Sequence, residues 1–164
     1  MIRFVVFDLD GTLVDSRQDL AESAKALLAA CGCPTQTETA IGRMVGDGAA
    51  TLVARAFAAG GCPAPADALY VVWGGANDLR EAVQQGTQGA TLAQIASDAV
   101  GNIVDVIRTL QGFGAIYFLV PNLPDLGLTP QQVAHGPAAM QLGTALSTAF
   151  NSALESGLQE LGTG

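Results

Sequence analysis

The sequence holds 164 residues with a formal net charge of −8, from 15 acidic and 7 basic side chains. Hydrophobic residues make up 49% and aromatic residues only 5%, so the core must be built mainly from small and aliphatic side chains, which favours helices packed on a sheet. The basic residues are scattered, which argues against a nucleic-acid partner, and an anionic substrate would need a bound cation to offset the acidic field.

Short apolar runs alternate with helical segments along the chain. The predicted strands are Ile2 to Phe7, Leu69 to Trp73 and Ala115 to Val120, and each leads into a loop that carries acids or amides. Helices are predicted over 19–31, 49–59, 92–110 and 146–161 from apolar residues repeating every three or four positions. This alternation predicts an α/β fold with a three-layer parallel sheet of the Rossmann-like or flavodoxin-like type.

The cysteines and the apolar runs bear on the location of the protein. Cys31, Cys33 and Cys62 lack CxxC spacing and share the chain with one histidine, His135, so a zinc site is not expected. We expect these cysteines to be buried thiols in a reducing compartment. No stretch approaches about 18 consecutive apolar residues, and the first run ends at Asp8, too early for a signal peptide. The sequence therefore predicts a cytoplasmic protein with no membrane partner.

The first predicted strand ends in a cluster of polar residues, FDLDGTLVDS at 7–16. Asp8 and Asp10 lie two residues apart and can direct two carboxylates into one pocket. Gly11 allows a tight turn and Thr12 adds a hydroxyl group. An Asp-rich loop that only caps a helix or turn is the alternative, but the preceding strand and the Gly-Thr pair favour an inherited catalytic motif.

Segment 7–16 resembles the signature of the haloacid dehalogenase superfamily of phosphatases. The likeness covers residues 1–68, because 42–46 and the helix after it look like the small helical cap of phosphoglycolate phosphatases. The resemblance implies that Asp8 attacks phosphorus to form an aspartyl-phosphate. Asp10 would protonate the leaving alkoxide and later activate water.

The same resemblance implies Mg²⁺ bound beside Asp8 and Asp10, with Gly11 and Thr12 contacting a small phosphorylated metabolite such as 2-phosphoglycolate. Those phosphatases also use a second-strand Ser or Thr, a phosphate-binding Lys and a later acidic pair. The only lysine is Lys25, in the first predicted helix, and the later motifs are not found. We therefore expect the phosphatase activity of this chain to be impaired or absent.

The second predicted strand continues into LYVVWGGANDL at 69–79. This block resembles the GxND block of GDSL, or SGNH, esterases of the autotransporter type, and the likeness extends over 69–164. It implies that the Gly75 N–H and the Asn77 side chain stabilise an oxyanion, although an ordinary loop is the alternative. That family also needs a Ser in a GDS block and a DxxH, which this chain lacks, and His135 is predicted to be a surface residue.

The two resemblances together predict an apparent chimera joined near residue 68. Residues 1–68 would supply a first strand, a catalytic loop and a helical cap, and 69–164 a partial esterase-like segment, within one hybrid domain. If the strands are parallel neighbours, their carboxyl ends bring Asp8, Asp10, Asp78 and Asp125 to one rim. Either Asp125 or Asp78 could then replace the missing Mg²⁺ ligand, or both could be turn and cap residues.

Three function classes remain open from the sequence. The first is a Mg²⁺-dependent phosphatase of impaired activity, and the second is an esterase fragment without its Ser and His. The third is a non-catalytic engineered or chimeric α/β domain. The sequence leaves the substrate, the oligomeric state and the natural, recombined or designed origin open.

Overall fold

The computed structural model describes residues 4–8, 16–34, 36–44, 49–84 and 90–162. The strands in these ranges are β1 (Phe4–Asp8), β2 (Leu69–Trp73) and β3 (Tyr117–Leu119). The helices are α1 (Ser16–Ala30), α2 (Glu38–Gly42), α3 (Ala49–Gly60), α4 (Ala76–Gln84), α5 (Leu92–Gly112), α6 (Pro130–His135) and α7 (Pro137–Gly162). A short 3-10 turn covers Leu126–Leu128.

The strands form one parallel sheet in the order β1-β2-β3. Phe4 pairs with Leu69, Asp8 pairs with Trp73, and Leu69 also pairs with Tyr117. Parallel neighbours need long crossovers, and helices occupy the chain between each pair of strands. The prediction of a mixed α/β fold with a parallel sheet is confirmed, although the chain is mostly helical and β3 is shorter than predicted. The three-layer arrangement stays a prediction.

Helix α5 matches its predicted pattern most closely. Its apolar residues recur every three or four positions, and those buried below a tenth exposure are Ile95, Ala96, Ala99, Val100, Ile103, Val104, Val106, Ile107 and Leu110. Gly114 has a φ of 107°, and the Ala115 N–H donates to the Leu110 carbonyl at 3.0 Å. A left-handed glycine that closes the last turn in this way ends a helix.

Three helices lie where the sequence predicted none: α2, α4 and the six-residue α6. Helix α2 is five residues long, too short for its periodicity to be recognised. Helix α4 begins at Ala76, inside a segment predicted to be an acid-bearing loop, and that prediction is wrong. Asn77 and Asp78 therefore lie in the first helical turn, where short polar and acidic side chains are favoured by the exposed N–H groups.

Contacts divide the chain into two compact units, each made of two chain segments. The first comprises Met1–Trp73 with Asp105–Pro121, and the second comprises Gly74–Val104 with Asn122–Gly164. The boundary predicted at residue 68 concerns ancestry and stays a prediction.

The first unit buries its helices and sheet through aromatic and aliphatic contacts. Leu28 and Phe57 are fully buried, and the ring of Phe57 stacks on Phe113 with centroids 5.1 Å apart. Tyr70 of β2 is also fully buried, and its ring lies 5.7 Å from that of Phe118 on β3. These contacts fix α3 and the strand β2 that adjoins the Asp8 strand.

The second unit has its own apolar core. The large side chains that are fully buried in it include Leu79, Ile103, Phe150 and Leu154. Gly75 has a φ of 100°, and a Cβ placed there would lie 2.6 Å from Cζ of Phe150. Only glycine fits both the backbone conformation and this close approach.

Candidate functional site

The first candidate residues follow strand β1. Asp8 is its last residue and pairs with Trp73 at the carboxyl end of β2. In parallel α/β sheets, ligands bind beyond the carboxyl ends of the strands. The backbone of Asp8 therefore lies at the expected edge, while Asp10, Gly11 and Thr12 lie outside the described residues.

The second candidate group lies at the start of α4. The Leu79 N–H donates to the Gly75 carbonyl at 3.1 Å, which closes the first turn. The Asp78 carboxylate accepts a hydrogen bond from Nδ2 of Asn102 at 2.9 Å. Asn77 is partly exposed in the same turn. This geometry gives Asp78 a structural partner on α5.

Asp125 caps the 3-10 turn. Its Oδ1 accepts hydrogen bonds from the Gly127 N–H at 2.9 Å and from Oγ1 of Thr144 at 2.8 Å. The backbone of Asp125 is extended, as expected for a residue that precedes a helical turn. The structure therefore provides contacts for Asp125 as a capping residue, the second of the two roles considered from the sequence.

The segment that holds Asp125 is bound along its length by α7. Asn151 accepts from the Leu123 N–H at 2.9 Å and donates to the Leu123 carbonyl at 3.0 Å. The hydroxyl of Ser147 accepts from the Leu126 N–H at 2.9 Å and donates to the Gly143 carbonyl at 2.9 Å. These bonds pair the N–H and carbonyl of Leu123 and the N–H of Leu126, so α7 supplies partners for backbone groups before and at the start of the turn.

No role was predicted from the sequence for these α7 side chains. Asn151 stood in a block that resembles the esterase family, but its partner lies 28 positions away. A polar side chain on the buried side of an amphipathic helix was the available signal, since such a group needs a hydrogen-bond partner.

The part of the chain that the structure describes holds neither a metal-binding cluster nor a membrane-spanning helix. Among the described residues, no group of three or more His, Cys, Asp or Glu side chains could hold a metal ion. His135 is exposed, as predicted, and its Nδ1 lies 2.7 Å from the Gln131 carbonyl. No described helix has the length and apolar character needed to cross a membrane.

The expectation of buried thiols is wrong for two of the cysteines. Cys33 and Cys62 form a disulfide, with Cα atoms 5.8 Å apart. The separation suits a disulfide because Cα distances between bonded cysteines usually fall between about 4.4 and 6.8 Å. Cys31 lies outside this bond and contacts Tyr70.

Tyr70 of β2 is a fully buried titratable group. Its hydroxyl donates to the Pro65 carbonyl at 3.1 Å. Burial raises the pKa of Tyr70 well above its ordinary value of 10.0, and the Cys31 thiol and Asp67 carboxylate nearby add to the rise. The neutral phenol is therefore strongly favoured in the folded chain.

The predicted common rim of Asp8, Asp10, Asp78 and Asp125 stays a prediction. Asp8 lies in the first unit, Asp78 and Asp125 lie in the second, and Asp10 is outside the described residues. Within the second unit, Asp78 and Asp125 each have their own hydrogen-bond partners.

Comparison with known proteins supports the first of the two sequence resemblances. A family model described as haloacid dehalogenase-like hydrolase matches residues 5–69. A phosphoglycolate phosphatase from Rhodospirillum rubrum is 40% identical over 98 residues, which cover 60% of this chain and 36% of that protein.

Two Pseudomonas proteins show the same similarity. A phosphoglycolate phosphatase from Pseudomonas putida is 34% identical over 126 residues, covering 65% of this chain and 46% of the relative. Phosphoglycolate phosphatase 1 from Pseudomonas aeruginosa is 29% identical over 128 residues, covering 78% and 44%. The chain thus spans less than half the length of these curated relatives. The amino-terminal part of the chain is similar to haloacid dehalogenase-like hydrolases.

Proposed function

We propose that the chain carries the nucleophilic half-site of a haloacid dehalogenase-type phosphomonoester hydrolase. The observation that carries the proposal is the position of Asp8, the last residue of a parallel strand, within the segment that matches the hydrolase family. The carboxyl edge of a parallel strand borders the region where α/β proteins bind ligands. The proposal includes the three-layer sheet and helical cap expected from the sequence.

Two carboxylates divide the reaction between them. An oxygen of Asp8 attacks phosphorus and forms the aspartyl-phosphate, while the bond from phosphorus to the substrate oxygen breaks. Asp10 gives its proton to the leaving alkoxide, then takes a proton from the water that attacks the aspartyl-phosphate. Inorganic phosphate leaves and the Asp8 carboxylate is restored.

The proposed cofactor is Mg²⁺, with Asp8, Asp10 and Asp125 as its ligands. Carboxylate oxygens are the donors that this cation prefers, so the chemistry of these side chains fits it. When bound, the cation offsets negative charge on the phosphate and the carboxylates. The assignment of Asp125 as a metal ligand rests on the sequence alone. In the structure its Oδ1 accepts two hydrogen bonds, which belong to its capping role.

The metal part of the proposal has its own test. Mg²⁺ affinity is measured by titration calorimetry on the parent chain, Asp125→Asn and Asp78→Asn. A ligand role for Asp125 predicts a loss of about tenfold or more in affinity for Asp125→Asn, as for changes that disturb a metal site. Affinity equal to that of the parent in Asp125→Asn would leave the residue with its capping role only, and an equal loss in Asp78→Asn alone would transfer the ligand role to Asp78.

The proposed substrate is a small phosphorylated metabolite held by Gly11, Thr12 and Asn77, in a cytoplasmic protein that binds neither nucleic acid nor membranes. Turnover by this chain alone is expected to be weak, because no counterpart of the phosphate-binding Lys was predicted. The only lysine of the sequence, Lys25, lies on α1. Removing one preorganised donor from a transition state costs about 3 kcal/mol, or roughly 100-fold in rate.

A second candidate is an esterase-like fragment within an apparent chimera. It rests on the sequence resemblance of 69–164, with Gly75 and Asn77 as oxyanion donors and no assigned nucleophile. The left-handed Gly75 and the helical start at Ala76 are compatible with N–H groups directed at an anion. Hydrolysis of a short acyl ester would favour this candidate, and absence of both activities would favour a non-catalytic domain.

The test of the first candidate is hydrolysis of an aryl phosphate with and without Mg²⁺. The parent chain is compared with Asp8→Asn and with the control variant Asp105→Asn. The control makes the same chemical change at an exposed carboxylate, which lies 3.7 Å from Arg108. Activity that needs Mg²⁺, survives in Asp105→Asn and disappears in Asp8→Asn is expected. Equal rates for the parent and Asp8→Asn would contradict the assignment of the nucleophile.

A further inference from the structure

The two faces of the parallel sheet differ in exposure. Side chains alternate along a strand, so the fully buried Tyr70 and Val72 of β2 share one face. The ring of Phe118 on β3 lies beside Tyr70 on that face, with centroids 5.7 Å apart. The remaining residues of the two strands lie on the other face, which we call the open face: Leu69, Val71, Trp73, Tyr117 and Leu119.

The open face is apolar and exposed. Trp73 is 49% exposed, Tyr117 59% and Leu119 50%, while Leu69 and Val71 are partly exposed. Neither strand contributes a charged side chain to this face. Strands of parallel sheets are normally covered on both faces and are apolar at nearly every position, as β2 and β3 are. The composition of these strands therefore indicates a face that packs against another apolar surface.

Helices cover the opposite face for a topological reason. The strand order β1-β2-β3 follows the chain order, so both crossovers proceed in the same direction across the sheet. Right-handed crossovers that proceed in one direction place their helices on one face. Cys31, directly after α1, contacts Tyr70 and therefore lies on the side of the sheet away from the open face. The topology thus assigns the crossover helices of the first unit to the Tyr70 face.

The exposed area determines the kind of contact that the open face can make. Aromatic side chains present about 150 to 250 Å² each, so Trp73 and Tyr117, each about half exposed, offer about 200 Å² together. The aliphatic residues raise the open face to roughly 400 Å², within the range of about 300 to 600 Å² of the largest apolar patch on a typical monomer. Two such faces packed together bury roughly 800 Å², less than the smallest stable interfaces at about 1,200 Å². This area suits a weak and reversible contact.

We propose that the open face is the contact surface of a reversible homodimer, in which two copies of this chain pack sheet against sheet about a two-fold axis. The axis sets the same apolar side chains of both copies against each other, and the contact leaves no charge of β2 or β3 buried without a partner. The proposal concerns the sheet surface and is independent of the phosphatase chemistry.

The charge of the chain favours a second copy over other occupants of the open face. The net charge of −8 repels an anionic lipid surface, and a basic partner meets no carboxylate on β2 or β3. The same net charge opposes the approach of a second copy, which keeps the dimer weak and makes its formation depend on salt.

Sedimentation velocity and the fluorescence of Trp73, the only tryptophan of the sequence, test the dimer on the full chain. A contact of this size is expected to have a dissociation constant on the order of 100 µM, so the dimer should be scarce at about 1 µM and should hold more than half of the chain at about 300 µM. The emission of Trp73 should shift to shorter wavelength over the same range, because the ring loses its contact with water. Added salt should favour the dimer by screening the repulsion between the two acidic copies.

Matched lysine substitutions locate the contact. Leu119→Lys should weaken the dimer by about tenfold or more, because it buries an unpaired charge in the contact. Val133→Lys places the same charge on α6, where Val133 is 51% exposed, and should dimerise like the parent. Tyr117→Lys, at a more exposed position of the same face, repeats the test where Leu119→Lys fails to fold.

Two results would overturn the dimer. A monomer at every concentration up to about 300 µM, with the emission of Trp73 unchanged, would show that the open face binds no second copy. Dimer formation that is equal in the parent, Leu119→Lys and Tyr117→Lys would place the contact elsewhere on the molecule.

Discussion

Two helical glycines offer a matched test of the packing between α7 and the 3-10 turn. A Cβ placed at Gly143 would lie 2.7 Å from N and 2.8 Å from Cα of Gly127, and 3.0 Å from the carbonyl carbon of Leu126. All three are backbone atoms, which cannot move aside as a flexible side chain would. A Cβ at Gly101 on α5 has nothing within 4 Å. The same substitution therefore meets two opposite environments.

The expected changes in the free energy of unfolding follow from this difference. Replacing glycine by alanine inside a helix stabilises by about 1 kcal/mol, so Gly101→Ala should raise the free energy of unfolding by about that amount. Overpacking costs about 1 to 3 kcal/mol, and rigid backbone contacts place Gly143→Ala near the upper end. Gly143→Ala should then lower the free energy of unfolding by about 2 kcal/mol. The two variants should differ in this free energy by about 3 kcal/mol.

Urea unfolding followed by circular dichroism measures both variants against the parent chain. The unfolding midpoint should fall for Gly143→Ala and rise for Gly101→Ala, with the slope of the transition unchanged. Equal shifts in the same direction would refute the close approach of α7 to the 3-10 turn.

Three other changes test single contacts. Asn151→Ala removes both hydrogen bonds to Leu123 and should cost about 2 kcal/mol in urea unfolding; a change below about 0.5 kcal/mol would show that they contribute little. Asp125→Ala should cost about 1 kcal/mol through loss of the cap, and Asp125→Asn, which keeps an acceptor oxygen, should cost less; equal losses would contradict the capping role. Because the folded pKa of Tyr70 is raised, its contribution to stability is present below pH 10.0 and is lost as pH rises further. The unfolding temperature of Tyr70→Phe should therefore fall less steeply than that of the parent above this pH, and parallel slopes would contradict the raised pKa.

Periodic and apolar segments were predictable because their pattern is local. The run from Leu69 to Trp73 becomes β2 without change, and the three-to-four spacing of α5 survives over its length. The error at α4 has an equally local cause. Gly74 and Gly75 are typical of a loop, but the Asn77 and Asp78 that follow are also favoured in a first helical turn.

Contacts between distant positions could not be read from the sequence. Any two of Cys31, Cys33 and Cys62 could have paired, and only the fold brings Cys33 to Cys62. The hydrogen bonds from Asn151 depend in the same way on the placement of α7 beside a segment 28 positions earlier. Side-chain placement of this kind is set by packing, which periodicity does not encode.

Covalent trapping tests the assignment of Asp8 as a nucleophile. The parent chain is mixed with an aryl phosphate and Mg²⁺, quenched in acid within the first turnover, and digested for mass spectrometry. We expect a phosphoryl group on the peptide that contains Asp8, present in Asp105→Asn and absent in Asp8→Asn. Release of phosphate at the same rate from the parent and Asp8→Asn, with no phosphoryl group on that peptide, would contradict it.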